Sequence, residues 1–521
     1  MNLRFLRQIY FMKLARFLLC FLFLSYSALK AESYYFDSSI GKDSNHGLSP
    51  EFPFKTLKKL NQLIFKPGDQ ILLRSGSVFY GQIKPKGSGS LKNPILLSSY
   101  QAGNKPIIDA QGKFESTLFI ENISHWIVEN LEIVNFGEKP EPGRMGIYLL
   151  ANQGEVQGLV IRELLVRDVN GVISRTRGNG FGLRWSTQSH KIPSRFNGLI
   201  IENCHFLRCD RNAIEGTLWP IKGLKNLSVH VVIRNNLIED VGGDAIVVIG
   251  CDGALVEKNR VYGARKRFDT QNQSVVEDAG PSIGIWPWSS INTRVQFNEV
   301  WGYKGIYDGQ GFDSDFNCDG SLFEYNFSGE NEGGFFLICN NEKWKADGRS
   351  IGNKNTVVRH NISFNDRKRG FVIDGSVKNV MVRENIIYNN IDEVFSAVIE
   401  TSKNQSKESI QVLGNYFYTT GKSKIHKGKW AGKHSVGEWL DNGPINSELF
   451  LFKENSYTYK NETEELGVKT LKNEETILSL IHRFKKDKDV YEGFFKLIDF
   501  MKDSKKWHKL DAQFPVNKDP L

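Results

Sequence analysis

One short phrase recurs along this chain and restricts its fold more than any other feature. It reads VENLEI at 128–133, IRELLV at 161–166, IENCHF at 201–206, IRNNLI at 233–238 and VEKNRV at 256–261. VQFNEV (295–300), FEYNFS (323–328), VRHNIS (358–363), VRENII (382–387) and VLGNYF (412–417) continue it. Apolar and polar residues alternate in each copy, which is the period of a short strand with one buried face. The fourth position is Asn in seven successive copies: Asn236, Asn259, Asn298, Asn326, Asn361, Asn385 and Asn415, at intervals of 23, 39, 28, 35, 24 and 30 residues. A shortest interval near 23, lengthened elsewhere by insertion, is what one coil of three short strands and their turns needs. Repetition in fixed phase marks a solenoid. The expected fold is all-β, a right-handed parallel β-helix.

The asparagines have a physical reason to share a phase. Coils stack about 4.8 Å apart, so an inward amide at one level can hydrogen-bond to the amide above it and satisfy polar groups that water cannot reach. The apparent glycosylation signals Asn326-Phe-Ser and Asn361-Ile-Ser fall in this column, where a glycan has no room.

Composition agrees with an ordered globular chain: 40% hydrophobic, 12% aromatic, 24% charged, with 48 Gly for tight turns and only 5 Met. Residues 1–31 contain Arg4, Arg7, Lys13, Arg16 and Lys30, no acid, and an apolar run from Phe17 to Leu24. They read as a secretion signal, with Met12 opening the more ordinary form of one, and the run is too short to span a bilayer. Most of the formal charge of +9 lies there. The rest of the chain is only weakly basic, so nucleic acid is not an implied partner. The expected location is secreted, periplasmic or at the cell surface, with no membrane span after signal cleavage. The cysteines beyond the signal (Cys204, Cys209, Cys251, Cys318, Cys339) are odd in number and form no close pair, which argues against a disulfide framework or a zinc site.

The opening YYFDSSIGKDSNHGLSPEFPFKTLKKLN, the following FKPGDQILLRSGSVFYGQI and NPILLSSYQAGNKPIIDA resemble the start of secreted bacterial right-handed parallel β-helix proteins of the pectin-lyase-like superfamily. GIWPWSSINTRVQFNEV and GQGFDSDFNCDGSLFEYNFSGENEGGFFLIC are similar to members of that group too. The resemblance implies a polysaccharide lyase or glycoside hydrolase, and specifies fold better than reaction. The organisation expected is a signal over 1–31, a β-helix over 33–420 whose first residues form a capping turn and short helix (FKTLKKLNQLI), and an irregular, partly helical extension over 421–521. In that extension ETILSLIHRF and YEGFFKLIDFMK have helical spacing.

A second phrase follows most copies of the first: MGIYLL (145–150), FGLRWS (181–186), NAIEGT (212–217), DAIVVI (244–249), IGIWPW (283–288), QGFDSD (310–315), GGFFLI (333–338) and RGFVID (369–374). With the apolar third residue inward, alternation turns the fourth and sixth residues to solvent, and the first joins them. The fourth positions supply Tyr148, Arg184, Glu215, Trp286, Asp313 and, in GGFFLI, Phe336. The sixth supply Trp288 and Asp315, and the first supply Asp244, Gln310 and Arg369. Indoles beside carboxylates describe a sugar site, the rings meeting C–H faces and the acids addressing hydroxyls or the glycosidic oxygen. The candidate catalytic residues are therefore Asp313, Asp315, Asp244 and Glu215, with Trp286, Trp288, Arg184, Tyr148, Gln310 and Arg369 as substrate contacts.

Two acids two residues apart on a strand lie about 6–7 Å apart at the backbone, nearer to the carboxyl spacing of inverting than of retaining glycosidases. The leading expectation is hydrolysis of a polysaccharide or oligosaccharide, which requires no cofactor. A lyase acting on a uronate polymer is the alternative; Asp244, Asp313 and Asp315 would then hold calcium. A glycan-binding surface protein without turnover is the third possibility. Sugar, linkage and oligomeric state stay open.

Overall fold

A computed structural model gives the fold. It describes residues 31–459 apart from 174–179, 264–281, 305–307, 341–347, 376, 390–394, 401–409, 414, 420–422, 428–450 and 454–455. The chain coils through three parallel sheets in turn. Each copy of the asparagine phrase begins in the first sheet and ends in the second, and the second phrase forms the third. One complete coil runs Arg294–Gln296, Glu299–Trp301, Gln310–Ser314. The third sheet has eleven strands, from Ser116–Glu121 to Ser423–Lys427. This is a parallel β-helix, and its core is the inward set of all three sheets, including Ile133, Ile161, Ile201, Ile233, Val256, Val295 and Phe323.

The sharp corner between the first and second sheets is made by the residue before each asparagine from 236 to 385. Asn235, Lys258, Phe297, Tyr325, His360 and Glu384 all have φ between 54° and 58°. A non-glycine residue resists this left-handed conformation. The asparagine that follows offsets the cost by binding the stack in both directions. Asn298 Nδ2, for example, donates to Val256 O (2.9 Å) and Asn326 Oδ1 (3.0 Å), while Asn298 Oδ1 accepts from the backbone and side chain of Asn259. The same pattern links all seven asparagines from 236 to 415. Asn326 and Asn361 are 1% exposed, so neither can carry a glycan.

The short helix Leu57–Gln62 occupies the capping segment; Thr56 accepts from Lys59 N at its start, and Leu57 and Leu60 enter the core. At the other end the sheets run on past residue 420. Strands Ser423–Lys427, Leu451–Lys453 and Ser456–Tyr459 join the third, first and second sheets. The segments of helical spacing beyond 459, and the signal, lie outside the described residues. Among the described residues no helix is long and apolar enough to cross a membrane. The five cysteines described are free thiols, four of them buried and Cys339 partly exposed.

Candidate active site

The third sheet places its residues by register. Tyr148 pairs with Arg184, Arg184 with Glu215, Glu215 with Val247 and Val247 with Trp286. Ile285 pairs with Phe312, which brings Trp286 beside Asp313. The second residue of the phrase is small because it faces inward: a Cβ on Gly146 or Gly284 would stand 2.7 Å from Val166 Cγ1 or Val300 Cγ1. With second and third residues both inward, the first turns outward. That puts Asn212, Asp244 and Gln310 on the wall with the fourth and sixth residues.

The row departs from the expected alignment after Asp313, which pairs with Leu337 rather than Phe336. Phe336 lies under Phe312 and Phe371 instead, facing the core. In register the phrase on this coil is GFFLIC, 334–339, with Gly334 (φ 113°) pairing Gln310 at its first position.

Five carboxylates gather on this wall. Asp313 is fully buried, and neither of its carboxylate oxygens has a hydrogen-bond partner among the described residues. Burial drives its pKa well above the usual carboxylate range, and the charges of Asp315, Asp308 and Asp244 push it further. Asp315 stands one residue beyond the strand end and is partly exposed; its Oδ1 accepts from Phe316 N (2.6 Å) and Cys339 Sγ (2.9 Å). Asp308 is 9% exposed. Glu215 is buried, accepts from Asn212 Nδ2 and has its pKa raised, by burial first and then by Asp244. Asp244 accepts from Ile283 N (2.7 Å) and Trp286 Nε1 (3.2 Å) and faces Arg211 at 3.5 Å.

These distances correct the spacing argument. Asp313 and Asp315, the latter just past the strand end at Ser314, bring carboxylate oxygens within 4.8 Å of each other. That is short of the gap an inverting pair keeps for water. The expected calcium trio changes as well: the third ligand atom within 4.8 Å is Cys339 Sγ, not a carboxylate of Asp244. A thiol beside two carboxylates is a poor calcium set, since calcium takes oxygen ligands.

The aromatic residues divide. Trp286 is 7% exposed and packs with Leu218, Leu227, Val247, Ile249 and Ile283 in an apolar cluster outside the coil, so its ring is a packing surface and not an open platform for sugar. Trp288, at the edge of that cluster, is partly exposed and meets Phe316 edge-on at 5.5 Å. Tyr148 stacks on Phe119 (5.2 Å, 7°), and Arg184 lies over the Phe181 ring at 4.7 Å. Gln310, 1% exposed, accepts from Arg369 Nη2 at 3.2 Å. Arg369 also donates to the carbonyls of Gly333 and Asp308, and burial lowers its pKa to about 10.

Asp308 and Cys339 escape a reading of the phrases. Asp308 precedes its strand by two residues, and Cys339 is the sixth residue only when the phrase starts at Gly334.

No family model matches the chain. It is 26% identical over 499 aligned positions, 79% of its length, to a lacto-N-biosidase of Bifidobacterium longum subsp. longum. The chain spans about a third of that relative, the match covering 30% of it. Among solved structures it is similar to the GH136 lacto-N-biosidase from Eubacterium ramulus, with TM-score 0.59, 22% identity, and coverage of 82% of this chain and 68% of that one. That likeness places the chain's coil among parallel β-helix folds.

Proposed function

We propose that this protein is an exported glycoside hydrolase that cleaves a glycosidic bond of an oligosaccharide, with release of a lacto-N-biose unit as the activity to test first. One observation carries the reading: the carboxylate of the partly exposed Asp315 lies within 4.8 Å of that of the buried Asp313, whose pKa is raised well above the usual carboxylate range by burial and by the charges of Asp315, Asp308 and Asp244. A carboxyl pair with raised proton affinity can supply a general acid where an isolated aspartate would be ionised. Asp315, the more accessible of the two, meets the leaving-group oxygen. The second carboxylate comes from the same wall, where Asp308 and Asp244 both act on Asp313; Asp244 also holds Ile283 N, Trp286 Nε1 and Arg211. Trp288, Tyr148 and Arg184 offer sugar contacts along the row. The relative's activity points the same way, and hydrolysis of this kind requires no cofactor.

The lyase alternative keeps one observation in its favour. Arg369, with its lowered pKa beside Asp308 and Asp313, is the group a proton-abstracting base would resemble. Its guanidinium is nonetheless engaged by Gly333, Asp308 and Gln310.

The test is turnover of a panel of lacto-N-biose-terminated and uronate oligosaccharides by the wild type, Asp315→Asn and the Asp313→Asn/Asp315→Asn double variant. Saturated products, a loss of about 10²–10⁴-fold in kcat for Asp315→Asn and retained binding by the double variant are expected. Unsaturated products absorbing in the ultraviolet would install the lyase reading. Binding with no turnover by the wild type would leave a glycan-binding protein.

A further inference from the structure

We propose that Cys339 and Asn353 are positioning residues that fix the orientation of the Asp315 carboxylate, an inference that rests on the reading of Asp315 as the reacting acid. Asp315 stands where its strand has ended, and a carboxylate there has two torsions to lose before it can address one oxygen of a substrate. The structure holds this residue from three neighbouring segments, two by its backbone and one by its carboxylate. Asp315 N donates to Pro287 O (3.2 Å) on the preceding coil. On the following coil the Cys339 thiol donates to Asp315 Oδ1 at 2.9 Å. Burial and the charges of Asp315 and Asp313 hold that thiol protonated, so it remains a donor.

Asn353 completes the clasp from the short strand Asn353–Lys354, which pairs with Cys318–Asp319. It is 1% exposed, and its Nδ2 faces Ser314 O (2.5 Å), Asp315 O (3.1 Å) and Cys339 O (3.1 Å) together. Its own Oδ1 accepts from Thr356 Oγ1 (2.8 Å), which lies 3.1 Å from Ser314 Oγ. One amide thereby ties the backbone of the carboxylate to the backbone of the thiol that holds it. In the column the asparagines from 236 to 415 bind strand carbonyls and one another, whereas Asn353 binds Asp315 and the thiol residue that holds it.

Turnover against pH, melting temperature and the titration of Asp315 itself, read from carboxyl ¹³C resonances assigned with Asp315→Asn, test the idea in Cys339→Ala, Cys339→Ser and Asn353→Ala. In Cys339→Ala, kcat falls about tenfold with KM within about twofold, and the Asp315 titration moves upward because its ionised form has lost a donor. Serine at 339 restores both. Asn353→Ala lowers kcat by a similar factor and also lowers the melting temperature. An Asp315 titration and pH profile unchanged in Cys339→Ala would overturn the positioning role while leaving the hydrolase reading intact. Full activity of Asp315→Asn would overturn the hydrolase reading, and the titration would still decide whether Cys339 holds the carboxylate.

Discussion

The asparagine column and the carboxylate wall are products of one repeat, spaced by the same coil height, and they treat polar groups in opposite ways. In the column, Asn298 uses both amide hydrogens and its oxygen accepts twice from the rung before it. On the wall, Asp313 is as deeply buried and binds nothing among the described residues. An amide carries donor and acceptor together, so identical amides stack with profit; carboxylates only accept and repel their copies. A solenoid that stacks acids therefore gives up stability at that level. Such unsatisfied groups concentrate where chemistry needs an altered proton affinity. The column is built for the fold, and the wall is the part of the same scaffold that leaves polar groups unsatisfied, where the reaction is proposed.

Exchanging the two chemistries sharpens the contrast. Asn298→Asp puts a wall residue into the column, removing two donors and aiming a charge at Val256 O. We expect a loss of more than about 3 kcal/mol at neutral pH, partly recovered in acid, by denaturant titration. Asp313→Asn makes the reverse exchange, and a gain of about 1–2 kcal/mol at neutral pH is expected, from the same titration. The sign with pH follows from the raised native pKa. The folded wild type holds its proton more tightly than the unfolded chain, so this contribution is fully present below the ordinary aspartate pKa and is lost as pH rises towards the native value. Asp313→Asn should abolish that part of the decline. Smallest of all, Asp315→Asn should change stability by under about 1 kcal/mol, because the amide oxygen still accepts from Phe316 N and Cys339 Sγ. An unfolded Asp315→Asn variant would blur the distinction between the two regions.

The column was legible in the sequence because it is repetitive: a fixed fourth residue in alternating strands sets coil, register and inward face together. In the earlier coils the same position is Leu131, Leu164 and Cys204, buried without an amide, so strand alternation alone had to reveal them. The wall was legible only as a set of outward residues. Register alone could not show that Leu218 and Leu227 pack across Trp286 and bury it, since contacts across the outer face have no period. It could not show Asp313 closed off for the same reason. The phrase on this coil starts at Gly334, which turns Phe336 inward and brings Cys339 to Asp315, and a pair of glycines in sequence does not say which of them opens it.

The asparagine amides also have a direction. Each passes its hydrogen to the oxygen of the next level, so the chain of bonds runs one way from 236 to 415 and cannot be opened in the middle without stranding a donor on one cut face and an acceptor on the other. The levels carrying Leu131 and Leu164 impose no such polarity. Shortening or grafting within the column must therefore keep this direction, joining a donor face to an acceptor face, whereas at the amino-terminal levels the ends rejoin apolar to apolar.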